Sequence, residues 1–303
     1  MPDLPLPFLL YYAASILAGV WVASDGITRL PRRPRWERFV WGVGTAAALP
    51  VFLPMYLLGA RSPDRSGVWG PAEMIAIAVF FALSLPLVAG LLGLRILALS
   101  LRDISALILI QNLGFLLLAV LGIALRYRLP LSRLGLTARR WPLFVAVGLL
   151  VGGLTIPVSI LAERAALGVA TLVEGKQAAE ARAEREHKDD PLSGILVSQG
   201  QGPGFYWLLA LLALAVPIGE EVYFRGVVYG GLRHRYGVGW ALAGSSLFFA
   251  VVHQQIIHFL PIAILGLVFA LLYQRTQSLI PPITVHAVNN VVAVLAQLYG
   301  WPL

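Results

Sequence analysis

About nine largely apolar stretches recur along this 303-residue chain, near 6–24, 39–59, 72–94, 104–125, 141–162, 205–232, 240–257, 259–273 and 280–298. A helix needs roughly 20 apolar residues to cross the hydrocarbon core of a bilayer. Only structures that satisfy their backbone polar groups internally persist there. The expected fold is therefore all-α, a polytopic transmembrane bundle of about eight to nine helices, with the last stretches short or interrupted. A composition of 58% hydrophobic and 13% charged residues excludes an ordinary soluble domain.

The first stretch has no basic residue ahead of it and is followed by Arg29, Arg32, Arg33, Arg35 and Arg38, the reverse of a cleavable signal, so it is expected to remain as an anchor. A second arginine-rich connection spans 126–140. The positive-inside rule puts both on the cytoplasmic side. Three stretches separate them, which would place them on opposite sides, so one of the three is expected not to cross. Pro50 and Pro54 in the second stretch and Pro86 in the third make those two the suspects. Farther along, alternation puts 163–204 outside and Arg233, Arg235 and Arg275 inside.

The net charge of +8 comes mostly from arginines in short loops. That pattern fits topology control and anionic headgroups, with the lipid bilayer as partner and no nucleic acid. The absence of cysteine removes thiol nucleophiles and thiolate metal sites. The connection 163–204 holds "EGKQAAEARAEREHKDD", a mixed-charge stretch with opposite charges four residues apart, expected to be an exposed helix, followed by the Gly/Ser/Gln-rich "SGILVSQGQGPG".

Seven of the 15 acidic residues lie in that connection, and after Asp190 only Glu220 and Glu221 remain. Ionisable residues inside a membrane usually face the bundle interior and mark a pathway or a site. Glu221 and Arg225 stand four apart on one helical face, with Glu220 about 100° away. His286 and Asn290 in "HAVNN" share another face, and His253 closes "FFAVVH". Three helices thus offer a carboxylate, an imidazole, and an imidazole with an amide.

This set suits water activation, with a glutamate as base, an imidazole beside it, and an amide with a second imidazole as donors to an oxyanion. Each member has a plainer role on its own: a structural salt bridge for Glu221 and Arg225, an interhelical hydrogen bond for His253, and helix contacts for Asn289 and Asn290. His234 and His258, near loop ends and without partners in the pattern, read as interfacial. The H-E-x-x-H zinc motif and a membrane Asp pair are both absent. Ser245 and Ser246 precede His253 by two turns and could serve a serine hydrolase, but small residues there suit close packing.

"EEVYFRG" with Glu220, Glu221 and Arg225, then F-x-x-x-H from Phe249 to His253, then H-x-x-x-N from His286 to Asn290, resembles the three motifs of the CAAX protease and bacteriocin-processing (CPBP, or Abi) family of intramembrane glutamic endopeptidases. "RLGLTARRW", residues 133–141, resembles the start of that family's core. The resemblance implies a catalytic core over 130–303, preceded by N-terminal transmembrane helices of unknown role over 1–129. It assigns water activation to Glu220 and His253, the oxyanion hole to His286 and Asn290, and support or substrate positioning to Glu221 and Arg225. It also implies a metal-independent protease without cofactor, acting on a membrane-associated protein or peptide, in a multi-pass protein of a bacterial plasma membrane. Two rivals use the same cluster: a zinc protease with Glu220, His253 and His286 as ligands, and a non-catalytic transporter or peptide-binding scaffold whose Glu, Arg and His form a relay.

Overall fold

The computed structural model describes residues 6–30, 34–61, 69–91, 100–188, 194, 196 and 202–301. Helices are the only regular elements among them, as the run of apolar stretches requires: α1 (Leu6–Arg29), α2 (Arg35–Ala47), α3 (Leu49–Met55), α4 (Pro71–Leu91), α5 (Leu101–Leu125), α6 (Trp141–Glu174), α7 (Lys176–Lys188), α8 (Pro203–Tyr236), α9 (Val238–Val252), α10 (Phe259–Thr276) and α11 (Ile280–Tyr299). By length and composition α5, α6, α8, α10 and α11 can cross a membrane, and α9 is a shorter apolar helix. The chain is a multi-pass integral membrane protein.

The second apolar stretch does not form a span. Helix α2 stops at Ala48, whose φ of −143° and ψ of 66° leave the helical region, and α3 then begins with Pro50 in its first turn. A π-helical turn over Tyr56–Ala60 completes the return. Trp41 lies 6.1 Å from Phe52 and 6.0 Å from Tyr56, ring to ring, so the two arms fold back on each other. Thirteen residues of α2 rise only about 20 Å, short of a crossing of about 30 Å. The hairpin therefore enters and leaves on one side. Asp25 at the end of α1 holds Arg61 at 2.8 Å, and the Arg61 carbonyl accepts from Arg126, so both arginine-rich connections lie at the same end of the bundle. This removes the conflict between span count and arginine placement.

The same end gathers the later basic residues. Leu279 donates to the Gly135 carbonyl at 3.0 Å, and Arg233 donates to Gln277 at 2.9 Å. At the opposite end α6 continues helical to Glu174, so the expected outer loop starts later than residue 163. The mixed-charge stretch forms α7 as its charge pattern predicts, with Lys176 and Glu180 paired four residues apart.

Close backbone approach is set by small residues. Gly148 and Gly152 of α6 meet Thr284 and Val288 of α11, where a Cβ would come within 2.9 Å of Val288. This four-residue spacing of small side chains lets two membrane helices dock without an apolar driving force. The main core packs α8 against α5, α9 and α10 through Phe115, Tyr223, Phe224, Phe249 and Phe269. Phe115 stacks on Tyr223 at 4.8 Å.

Candidate active site

Helix α8 carries both glutamates and is irregular around them, with π-helical segments at Leu211–Ala215 and Val222–Tyr229. A π segment shifts side chains out of the α-helical register and frees carbonyls, and such bulges cluster at functional sites. Here Leu212 in the first segment offers its carbonyl to Asn290 Nδ2 of α11 at 2.8 Å. Gly219 makes the other contact possible. Its Cα faces the side chain and backbone of Asn112 on α5, and no side chain fits between them.

Glu221 is fully buried. Its Oε1 accepts from Arg225 Nη1 at 2.9 Å, four residues on, and from His286 Nδ1 at 3.0 Å. The Arg225 guanidinium, also fully buried, lies over Phe249 at 4.6 Å and Phe269 at 4.8 Å and donates from Nη2 to the Gly266 carbonyl at 3.0 Å. Two aromatic faces and a carbonyl partly offset the desolvation of the cation, as a buried charge requires. Gly266 in turn packs against the Ser246 backbone, with a Cβ position 3.1 Å from Ser246 Cα. The serines thus serve packing: Ser246 bonds its own helix at the Leu242 carbonyl and Ser245 is fully buried.

His286 joins the two glutamates. Nδ1 carries the bond to Glu221, Nε2 lies 3.9 Å from Glu220 Oε2, and the ring stacks on Phe269 at 5.1 Å. Glu220 is less enclosed, with 14% side-chain exposure, and its Oε2 has no hydrogen-bond partner among the described residues. His253 caps α9 and is accessible. Its Nδ1 lies 2.7 Å from the Phe249 carbonyl. A carbonyl only accepts, so Nδ1 carries a proton, and in the neutral ring Nε2 keeps its lone pair.

Glu220, His253, His286 and Asn290 line one cavity of about 360 Å³, while Glu221 and Arg225 lie behind it. All six residues singled out from the sequence are therefore brought together. Among the described residues no group of three His, Asp or Glu side chains is placed to share a metal ion.

Nine further lining residues went unnoticed in the sequence, among them Gln111 and Asn112 from α5, Leu196 from the long connection, and Gln297 from α11. The signals were there for two helices. Gln111 and Asn112 interrupt the apolar run "ALILIQNLGFLLLA", and Gln297 stands eleven residues after His286 on the stripe that includes Asn290 and Val294. Asn289 takes the helix-contact role expected of it, donating to Thr155 Oγ1 at 2.8 Å. His234 is exposed at the end of α8. His258 departs from the expectation of an isolated interfacial residue. It lies between Glu186 of α7 at 3.2 Å and Glu163 of α6 at 3.7 Å. Glu186 also accepts from the amides of Ile256 and Ile257 at 2.9–3.2 Å, tying α7 to the turn that follows His253.

Residues 202–292 match the family model described as type II CAAX prenyl endopeptidase Rce1-like. A protein of Bacillus subtilis (strain 168) named "Putative membrane peptidase YdiL" is 33% identical over 91 residues, 30% of this chain and 37% of that relative. The chain therefore aligns with little more than a third of the relative's length. No solved structure matches. Both findings support the family resemblance, over the segment that carries all three motifs; "RLGLTARRW" lies outside the match.

Proposed function

We propose, from the match over 202–292 and the cluster that falls within it, that this chain is an intramembrane endopeptidase cleaving a peptide bond of a membrane-associated protein or peptide in a bacterial plasma membrane. The observation that carries the reading is the asymmetry between the two glutamates. Glu221 is fully buried behind the cavity and bound on Oε1 by Arg225 and His286, whereas Glu220 is partly exposed, lines the cavity and makes no hydrogen bond among the described residues.

Glu220 takes a proton from a water in the cavity, and His253, whose Nε2 lone pair is free, holds or relays it. The resulting hydroxide attacks the scissile carbonyl. Asn290 keeps one amide proton beyond its bond to Leu212 and donates it to the oxyanion. His286, held on Nδ1 by Glu221, presents Nε2 on the Glu220 side of the cavity as the second group facing the oxyanion. The proton then passes to the leaving amine. Arg225 and Glu221 neutralise each other and fix the His286 ring, so they act as positioning residues. No step needs a metal, and retained activity after stringent chelation distinguishes this reading from zinc chemistry at the same cluster.

The test is a comparison of protein termini in membrane and secreted fractions from cells with the wild-type chain, a deletion, and Glu220→Gln. A precursor trimmed only by wild type is the expected outcome. Identical termini in all three would overturn the reading in favour of transport or binding.

A further inference from the structure

Two glutamines in the cavity wall have no role in the chemistry above. Gln111 on α5 and Gln297 on α11 are partly buried and line the same cavity as Glu220. Neither makes a hydrogen bond among the described residues. Three asparagines of these helices differ in this respect. Asn112 donates to the Ile108 carbonyl, Asn289 to Thr155 and Val285, and Asn290 to Leu212. A primary carboxamide brings two donors and two acceptor lone pairs, and those of both glutamines are open to the cavity. Such a side chain in a cavity is poised for a ligand that offers both donors and acceptors.

The cavity narrows the class of that ligand. No Lys, Arg or Asp lines it among the described residues, and Glu220 is its one acid, so nothing there selects for a charged side chain or a free terminus. Apolar residues such as Ile108, Leu212 and Val216 form the rest of the wall around the glutamines. The ligand this surface fits is the main chain of an apolar, extended peptide. Spacing adds a direction. Asn290 and Gln297 are seven residues apart on one face of α11, a rise of about 10 Å, or about three residues of extended chain.

Resting on the endopeptidase reading, we propose that Gln111 and Gln297 bind the substrate's backbone amides, with the peptide running from Glu220 along α11 so that Gln297 meets it about three residues from the scissile bond. Gln111 lies outside the segment 202–292, so the N-terminal half contributes to substrate binding.

The test uses an internally quenched peptide built on the sequence that wild type cuts and Glu220→Gln does not, with a series carrying one N-methylated backbone amide each. Gln111→Met and Gln297→Met keep volume and helix propensity while removing the hydrogen bonds. Each is expected to raise KM roughly three- to tenfold with kcat changed less than about twofold, the scale of a lost neutral hydrogen bond. One N-methyl position should weaken binding to wild type and add nothing in Gln297→Met. Unchanged KM in both variants, or the same N-methyl penalties in variants and wild type, would overturn the inference. Should the variants not fold, the methyl series on wild type still decides it: no sensitive amide beyond the scissile residue rules it out. If no Glu220-dependent cleavage exists, the endopeptidase reading falls and takes this one with it. Cleavage that depends on Glu220 while the glutamine variants behave as wild type removes only the backbone-binding role.

Discussion

Among the described residues two arginine–carboxylate clusters are enclosed, and they differ in what they leave open. In the N-terminal bundle Asp25 receives Tyr56 and Arg61 on Oδ2 and Arg61 again on Oδ1, so both of its oxygens are engaged. In α8 the corresponding network stops short, because Glu220 Oε2, Glu221 Oε2 and Arg225 Nε find no partner among the described residues. A carboxylate with both oxygens engaged helps to rigidify a bundle, whereas Glu220, partly exposed at the cavity, keeps its carboxylate available to a ligand. The first cluster ties a hairpin to its neighbours, and the second adjoins a cavity.

Glu220→Gln, the largest expected effect, should lower cleavage by about 10²–10⁴-fold, the usual worth of a general base, while the thermal unfolding midpoint in detergent moves little. A variant that cuts at the wild-type rate removes the base from Glu220. Arg225→Leu should act on both quantities, lowering cleavage less than Glu220→Gln does and costing about 3–5 kcal/mol, because it leaves Glu221 buried without its cation. If its unfolding midpoint matches that of Glu220→Gln, the contrast between a supporting and a reacting glutamate fails.

Gly219→Ala inserts a methyl into the side chain of Asn112 and should destabilise by about 1–3 kcal/mol. Asn112→Ala in the same chain should recover part of that loss, and additive losses would show that the contact does not set the α5–α8 approach. Asp25→Asn sharpens the comparison from the other side. It weakens the Arg61 pair, lowering stability by about 1–2 kcal/mol, with KM and kcat of the folded protein within about twofold of wild type. The smallest effect is expected from Glu186→Gln, a fall in cleavage of about two- to fivefold through looser holding of the turn after His253. Unchanged kinetics would detach α7 from the site.

Much of the site was legible because a membrane makes polar residues conspicuous. Glu220 and Glu221 are the last acids in the chain, and the four-residue spacings of Glu221 with Arg225 and of His286 with Asn290 fix which side chains share a face. The hairpin at Ala48 was legible only as a contradiction between arginine counts and span counts, because an apolar segment of adequate length carries the same hydropathy whether it crosses or turns back. Gln111 and Gln297 were visible as residues but not as neighbours of Glu220. His258 could not be paired in advance, since Glu163 and Glu186 are distant in sequence and α7 had to dock first.

The sequence by itself determined that this chain is a multi-pass helical membrane protein, which residues could carry charge within it, and which of them share a helical face. Those properties depend on hydropathy and on the 3.6-residue period, both local. Tertiary structure alone decided that His286 joins the Glu221–Arg225 pair and that Glu220 faces the cavity. Helix α5, outside the segment of family similarity, packs against Gly219 and supplies part of the cavity wall through helix-on-helix contacts. No local pattern encodes such contacts.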